Sequence, residues 1–281
     1  MSGQFKDQCR KIPLISSNWF WYVLVVFGFL FLLKTPVLAG NPYSEFFLMS
    51  YHGVFLIFSV TIGFKEMAPL YNKEGGIWRM LLLAGAILFF SALVEGVVGG
   101  FLAADDPQQL EQYSFELSRR YVTVSFVRYA LVGIGEELFK YMIFLILYYP
   151  LCKLFKSYWL PLLISTFVTC FFFGFLHANY NPDEWLDYPE VLKEDVWLTI
   201  TLIIASGAVV YFYFLIKYQT IIPLMFAHFF QDFLVSLELT EQLEGIYGLT
   251  FLLIYMVVLI YIFGKMIKEL FKGIKEKFID K

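Results

Sequence analysis

The stretch that decides the fold is YVTVSFVRYALVGIGEELFKYMIFLILYY, residues 121–149. It is long and apolar enough to cross a bilayer, for which about 20 residues suffice. Yet its centre holds Glu136, Glu137 and, one turn on, Lys140. A charged side chain at bilayer depth costs at least about 2.5–3.5 kcal/mol on insertion scales. Such groups are either used or paired between helices, and matching polar residues recur in two further apolar stretches.

Composition extends this reading to the whole chain. Hydrophobic residues make up 59%, aromatics 21% and charged residues only 16%, against about 25% charged in a soluble domain. The mean hydropathy is +0.68 over the full length. These values predict an all-α polytopic transmembrane helix bundle and exclude a soluble domain with a single anchor. Cys9, Cys152 and Cys170 are odd in number and lack ligand spacing, so neither a disulfide framework nor a zinc knuckle is expected.

Runs of about 20 apolar residues give about eight spans, near 18–38, 44–64, 77–103, 121–149, 158–179, 196–217, 219–237 and 246–267. Val37-Leu38-Ala39 resembles a signal-peptidase site. The long, aromatic-rich first run is nevertheless read as an uncleaved span. The polar 107–120 segment is expected to stay at the surface. No internal repeat or linker is visible, so residues 1–281 are read as one transmembrane domain.

Charge orients the bundle. With the N-terminus inside, the cytoplasmic segments hold Lys6, Arg10, Lys11, Lys65, Lys73, Arg79, Lys153, Lys156, Lys217 and the Lys-rich tail from Lys265. The opposite loops hold Asp105, Asp106, Asp183, Glu184, Asp187, Glu190, Glu194, Asp195, Glu238, Glu241 and Glu244, with few basic residues, Lys34, Arg119, Arg120 and Lys193. The positive-inside rule then puts both termini in the cytoplasm. An integral protein of a bacterial plasma membrane is expected. The lipid bilayer is its partner, and the tail reads as a topology anchor touching anionic lipid, not as a nucleic-acid site.

Inside the spans lie Glu95, Arg128, Glu136, Glu137, Lys140, His177, His228 and Asp232. Glu95 and Arg128 fall at similar depth, about 10–12 Å from the outer end at 1.5 Å per residue. They are read as a structural ion pair. Glu136 and Asp232 both fall about 20 Å from the cytoplasmic ends of their spans. His228 and Asp232 share a helix face, as do Glu136 and Lys140, whereas Glu137 is turned by about 100° from Glu136. His177 follows Phe173-Gly174-Phe175-Leu176 near the outer end of its span.

Carboxylates and imidazoles in an apolar cavity suit hydrolysis. Burial turns a carboxylate into an effective base near neutral pH. One histidine can hold a water or shuttle its proton, and another can donate to the oxyanion of a scissile carbonyl. Two imidazoles with a carboxylate also suit zinc, at Glu136, His177 and His228. The residues alone do not separate the two chemistries, and no His-Glu-x-x-His helix is present.

At these positions the chain resembles the CPBP family of intramembrane proteases, which comprises CAAX proteases and bacteriocin-processing or immunity proteins and is also called Abi. The family motifs are EExxxR, FxxxH and HxxxN or HxxxD, on separate spans in that order. Glu136-Glu137 matches the first, Phe173 to His177 the second, and His228 to Asp232 the third. The arginine of the first motif falls at Tyr141, and Lys140 gives the Glu-Glu-x-x-Lys of PrsW-type proteases instead. The family-like core is expected at about 121–237.

The resemblance implies that Glu136 is the base that activates water, assisted by His177 and supported by Glu137. His228 and Asp232 would be the oxyanion-stabilising pair, with Lys140, Tyr141 and Phe173 in support. It implies glutamate-type catalysis without a resident metal, acting on a membrane-anchored protein or peptide. The rival readings are a non-catalytic scaffold or immunity protein on the same fold, and a proton- or ion-coupled transporter. A transporter would show duplicated halves or broken spans, and neither is visible. His52 reads as a packing or interfacial histidine, and the Gly99-Gly100 pair as permitting close helix contact.

Overall fold

The computed structural model describes residues 19–33, 52–57, 76–102, 117–155, 158–178, 196–238 and 246–278. Seven long helices account for most of them: α1 (Trp19–Leu33), α2 (Gly76–Phe101), α3 (Arg119–Leu154), α4 (Trp159–Ala178), α5 (Val196–Tyr218), α6 (Ile222–Glu238) and α7 (Ile246–Phe278). Residues 52–57 are also helical, and no strand occurs among the described residues. The helices follow the expected spans closely. Of the second span only 52–57 is described, and the Val37-Leu38-Ala39 site and most of 107–120 lie outside the described residues.

Helices α2, α4 and α5 each contain a run long and apolar enough to cross a membrane. Runs of this length and composition are those of membrane-spanning helices. Helix α3 has 36 residues, but the charges at its centre interrupt the apolar run. Such a helix survives in a bilayer only if those charges face protein. Its whole stretch from Glu137 to Leu145 is buried.

Both ends of α3 exceed the sequence expectation. Arg119 and Arg120 were assigned to the polar surface segment but form the first helical turn. Ser118 is extended, and its side chain accepts a hydrogen bond from the Tyr121 N–H at 3.1 Å. This satisfies one orphan donor and starts the helix early. At the other end α3 runs through Pro150, which is exposed, and closes where the Phe155 N–H donates to the Leu151 carbonyl at 2.8 Å.

Helix α4 packs along α5, α3 along both α6 and α4, and α2 along α5 and α6. Glycine sets the tightest of these approaches. A Cβ at Gly133 would lie 2.7 Å from the Phe229 backbone nitrogen of α6. One at Gly174 would run into the Thr201 carbonyl of α5. The Gly99-Gly100 expectation is corrected. Among the described residues, a Cβ at Gly99 would make only ordinary contact with Ile203, and at Gly100 it would meet nothing within 4 Å.

Candidate active site

The site is built by three helices. Glu136, Glu137 and Lys140 come from α3, Phe173 and His177 from α4, and His228 and Asp232 from α6. The contact of Gly133 with the α6 backbone lies one turn before Glu136, and Gly174 seats α4 on α5 one turn before His177. Small residues therefore place the backbones so that long polar side chains meet between them.

Glu137 and Glu136 point to different surroundings, as their offset on the helix requires. Glu137 is 2% exposed. Its Oε1 lies 2.5 Å from Lys140 Nζ and accepts a hydrogen bond from His228 Nδ1 at 2.7 Å. The Lys140 ammonium, 3% exposed, also sits 4.4 Å from the Phe173 ring centre and 4.6 Å from that of Tyr211. One carboxylate and two ring faces thus compensate its charge away from water.

Glu136 is 21% exposed. Its Oε2 stands 3.4 Å from His228 Nε2 and 3.7 Å from His177 Nε2. That oxygen is itself buried and makes no hydrogen bond within the protein. Asp232 Oδ2 lies 3.5 Å from His228 Nε2. On the other ring, His177 Nδ1–H donates to the Phe173 carbonyl at 2.9 Å. With Nδ1 so engaged, Nε2 of neutral His177 presents a lone pair toward Glu136. His228 has the opposite environment, with a carboxylate on Nδ1 and two more around Nε2, so a proton on either nitrogen has an acceptor.

All five residues expected to be catalytic therefore converge. Lys140 and Phe173 join them, but Tyr141 does not. Its ring is buried in a ladder with Phe144, at 6.1 Å, which continues to Tyr148. The positive charge beside the glutamates comes from Lys140 instead. The Glu95 carboxylate lies against Gly207 of α5, and the Arg128 guanidinium lies 5.4 Å from the Tyr129 ring centre. Among the described residues no three His, Cys, Asp or Glu side chains form a group that would hold a metal ion.

Two neighbours went unnoticed in the sequence, Tyr211 and Gln231. Tyr211 of α5 covers Lys140, meets the His228 ring edge-on at 6.3 Å, and donates its hydroxyl to Gln231 Oε1 at 3.4 Å. Gln231 had a visible signal, as a polar residue beside Asp232 in an apolar run. Tyr211 had none among 19 tyrosines. His52 is buried at 1% exposure, its ring filling the space where a Cβ of Gly135 would stand. It is a packing residue, as expected, but it packs against the helix of the site.

Comparison with protein families fits this geometry. Residues 118–234 match the family model described as Type II CAAX prenyl endopeptidase Rce1-like. This agrees with the CPBP resemblance of the three motifs, and the matched segment contains Glu136, Glu137, Lys140, His177, His228 and Asp232. Its family supports an intramembrane endopeptidase, a hydrolase acting on peptide substrate at a membrane. Comparisons with curated proteins and with solved structures gave no match.

Proposed function

We propose that the protein is a glutamate-type intramembrane endopeptidase in which Glu136 activates a water molecule. The observation that carries this reading is the Glu136 Oε2 atom, buried, without a protein hydrogen bond, and facing Nε2 of both histidines. A buried acceptor of this kind needs a donor, and a water supplies two. Held between Glu136 Oε2 and His177 Nε2, the water donates to both and keeps a lone pair for the substrate.

The water's oxygen bonds to the scissile carbonyl carbon as its proton passes to Glu136. The carbonyl electron pair moves to oxygen, where His228 Nε2–H donates to the oxyanion. Asp232 then acts through His228, because an ionised carboxylate has no hydrogen to give an oxyanion. Collapse breaks the C–N bond, and Glu136 returns the proton to the leaving amine. Glu137 orients His228 through Nδ1, and Lys140 balances the charge of Glu137. General-base transfer of this kind supplies about 10²–10⁴-fold and a preorganised oxyanion donor about 10²–10³-fold.

The substrate class we propose is a membrane-anchored protein or peptide. A C-terminally prenylated peptide is the first to try, given the name of the matching family. The test is cleavage in proteoliposomes, with products read by mass, for the wild type, Glu136→Gln, His177→Ala and His228→Ala. Loss of cleavage in all three folded variants is expected. A cellular phenotype that survives all three substitutions favours a scaffold on the same fold and overturns the enzymatic reading.

A further inference from the structure

A cleft of about 1330 Å³ opens between α2, α5 and α7. Helix α5 separates it from the site: Tyr211 reaches Lys140, whereas Tyr213, about 200° further round the axis, lines the cleft. Its walls include Ala86, Phe90 and Val94 of α2, Val210 and Phe214 of α5, and Val258 of α7. Its charged lining residues are Arg79, Lys217 and Lys265, and no acidic residue lines it among those described.

The three cations are not scattered along the cleft. Arg79 lies in the first turn of α2, Lys217 in the last turn of α5, and Lys265 seven residues beyond Val258 on α7. Successive spans alternate in direction, so these positions fall at one end. That is also the end to which the positive-inside pattern assigns the cytoplasm. Lys217 donates to the Tyr213 hydroxyl at 3.2 Å and lies 5.3 and 5.4 Å from the Tyr213 and Tyr218 ring centres. Its ammonium is thereby held against aromatic side chains at the mouth.

We propose that this cleft is a binding site for one anionic phospholipid. The phosphate lies among Arg79, Lys217 and Lys265, and an acyl chain runs past Ala86 and Phe90 toward Val94. From Arg79 to Val94 is about 22 Å at 1.5 Å per residue. One leaflet offers about 15 Å of hydrocarbon, half of a core about 30 Å thick, so the cleft is deep enough for a full chain. Basic pockets between transmembrane helices on the cytoplasmic side suit anionic headgroups. A zwitterionic headgroup would add its own cation to a mouth that already holds three.

Native mass spectrometry of the full chain, titrated with phosphatidylglycerol or with phosphatidylcholine of equal chain length, tests the site. Phosphatidylglycerol is expected to bind on the order of a hundredfold more tightly, each of the three interfacial cations contributing about fivefold. The Lys217→Gln/Lys265→Gln double variant should lose about tenfold or more of that binding. Ala86→Phe keeps all three cations but obstructs the chain path, and should lower retention of both lipids. Should the double variant fail to fold, the lipid preference of the wild type and the effect of Ala86→Phe decide. Equal affinity for the two lipids, or phosphatidylglycerol binding unchanged by Ala86→Phe, overturns the proposal. Displacement of the lipid by millimolar inorganic phosphate would assign the mouth to a free anion and overturn it equally.

Discussion

Lys140 and Lys217 are both lysines of apolar helices, and both lie against tyrosine rings, but the protein handles their charges in opposite ways. Lys140 is buried at the centre of the bundle with a carboxylate partner 2.5 Å away and aromatic faces on two sides. Lys217 sits at a helix end, bonded to a phenol and lining an open cleft. The first charge is stable only because the fold supplies its partners. The second relies on what lies outside the chain. Charges within the membrane thus divide into those that belong to the fold and those directed at something else, and the α3–α4–α6 cluster contains both kinds: Glu137 and Lys140 of the first, Glu136 of the second.

The sharpest way to break this comparison is Glu136→Gln. It keeps size and shape, so the protein should remain folded while peptide cleavage falls about 10²–10⁴-fold. Cleavage within tenfold of wild type would remove Glu136 from the role of base. Next in size is Lys140→Met, which leaves Glu137 buried without its cation and should cost about 3–5 kcal/mol, read from thermal unfolding in detergent. Lys217→Met should cost under about 1 kcal/mol. The Glu137→Gln/Lys140→Met pair should recover part of the Lys140→Met loss, and a strictly additive pair would deny that the two charges are coupled.

Gly133→Ala forces a methyl against the α6 backbone and should cost about 1–3 kcal/mol. It should also lower kcat, because α6 carries His228 and Asp232. A stability loss with unchanged kcat would show that the spacing of α3 and α6 is not what sets the site. The smallest effect expected is from Asp232→Asn. If Asp232 acts through His228 alone, asparagine, which still offers an acceptor oxygen, should keep cleavage within about tenfold, whereas His228→Ala should lose about 10²–10³-fold. A collapse of activity in Asp232→Asn would mean that the negative charge itself is required.

The helices were legible because apolar runs of membrane-crossing length are a strong signal, and most boundaries agree within a few residues. The ends of α3 were not, because a single serine cap and a tolerated exposed proline decide them rather than hydropathy. The ionisable site residues stood out as polar groups in apolar runs, and the motif order grouped them. Their convergence depends on which glycines meet which helix, and Gly99 and Gly133 look alike until a neighbour is present. Tyr141 stands at the motif's arginine position, but its aromatic ladder gives it to the core.

The two glycines flanking Ile134 have a consequence for access. Gly133 is closed off by the α6 main chain and Gly135 by the His52 ring, on two separate sides of the same turn. Helix α3 is therefore wedged against spinning about its long axis in either sense. Access to the exposed fifth of the Glu136 side chain is thereby set by a helix that holds both acids at fixed azimuth.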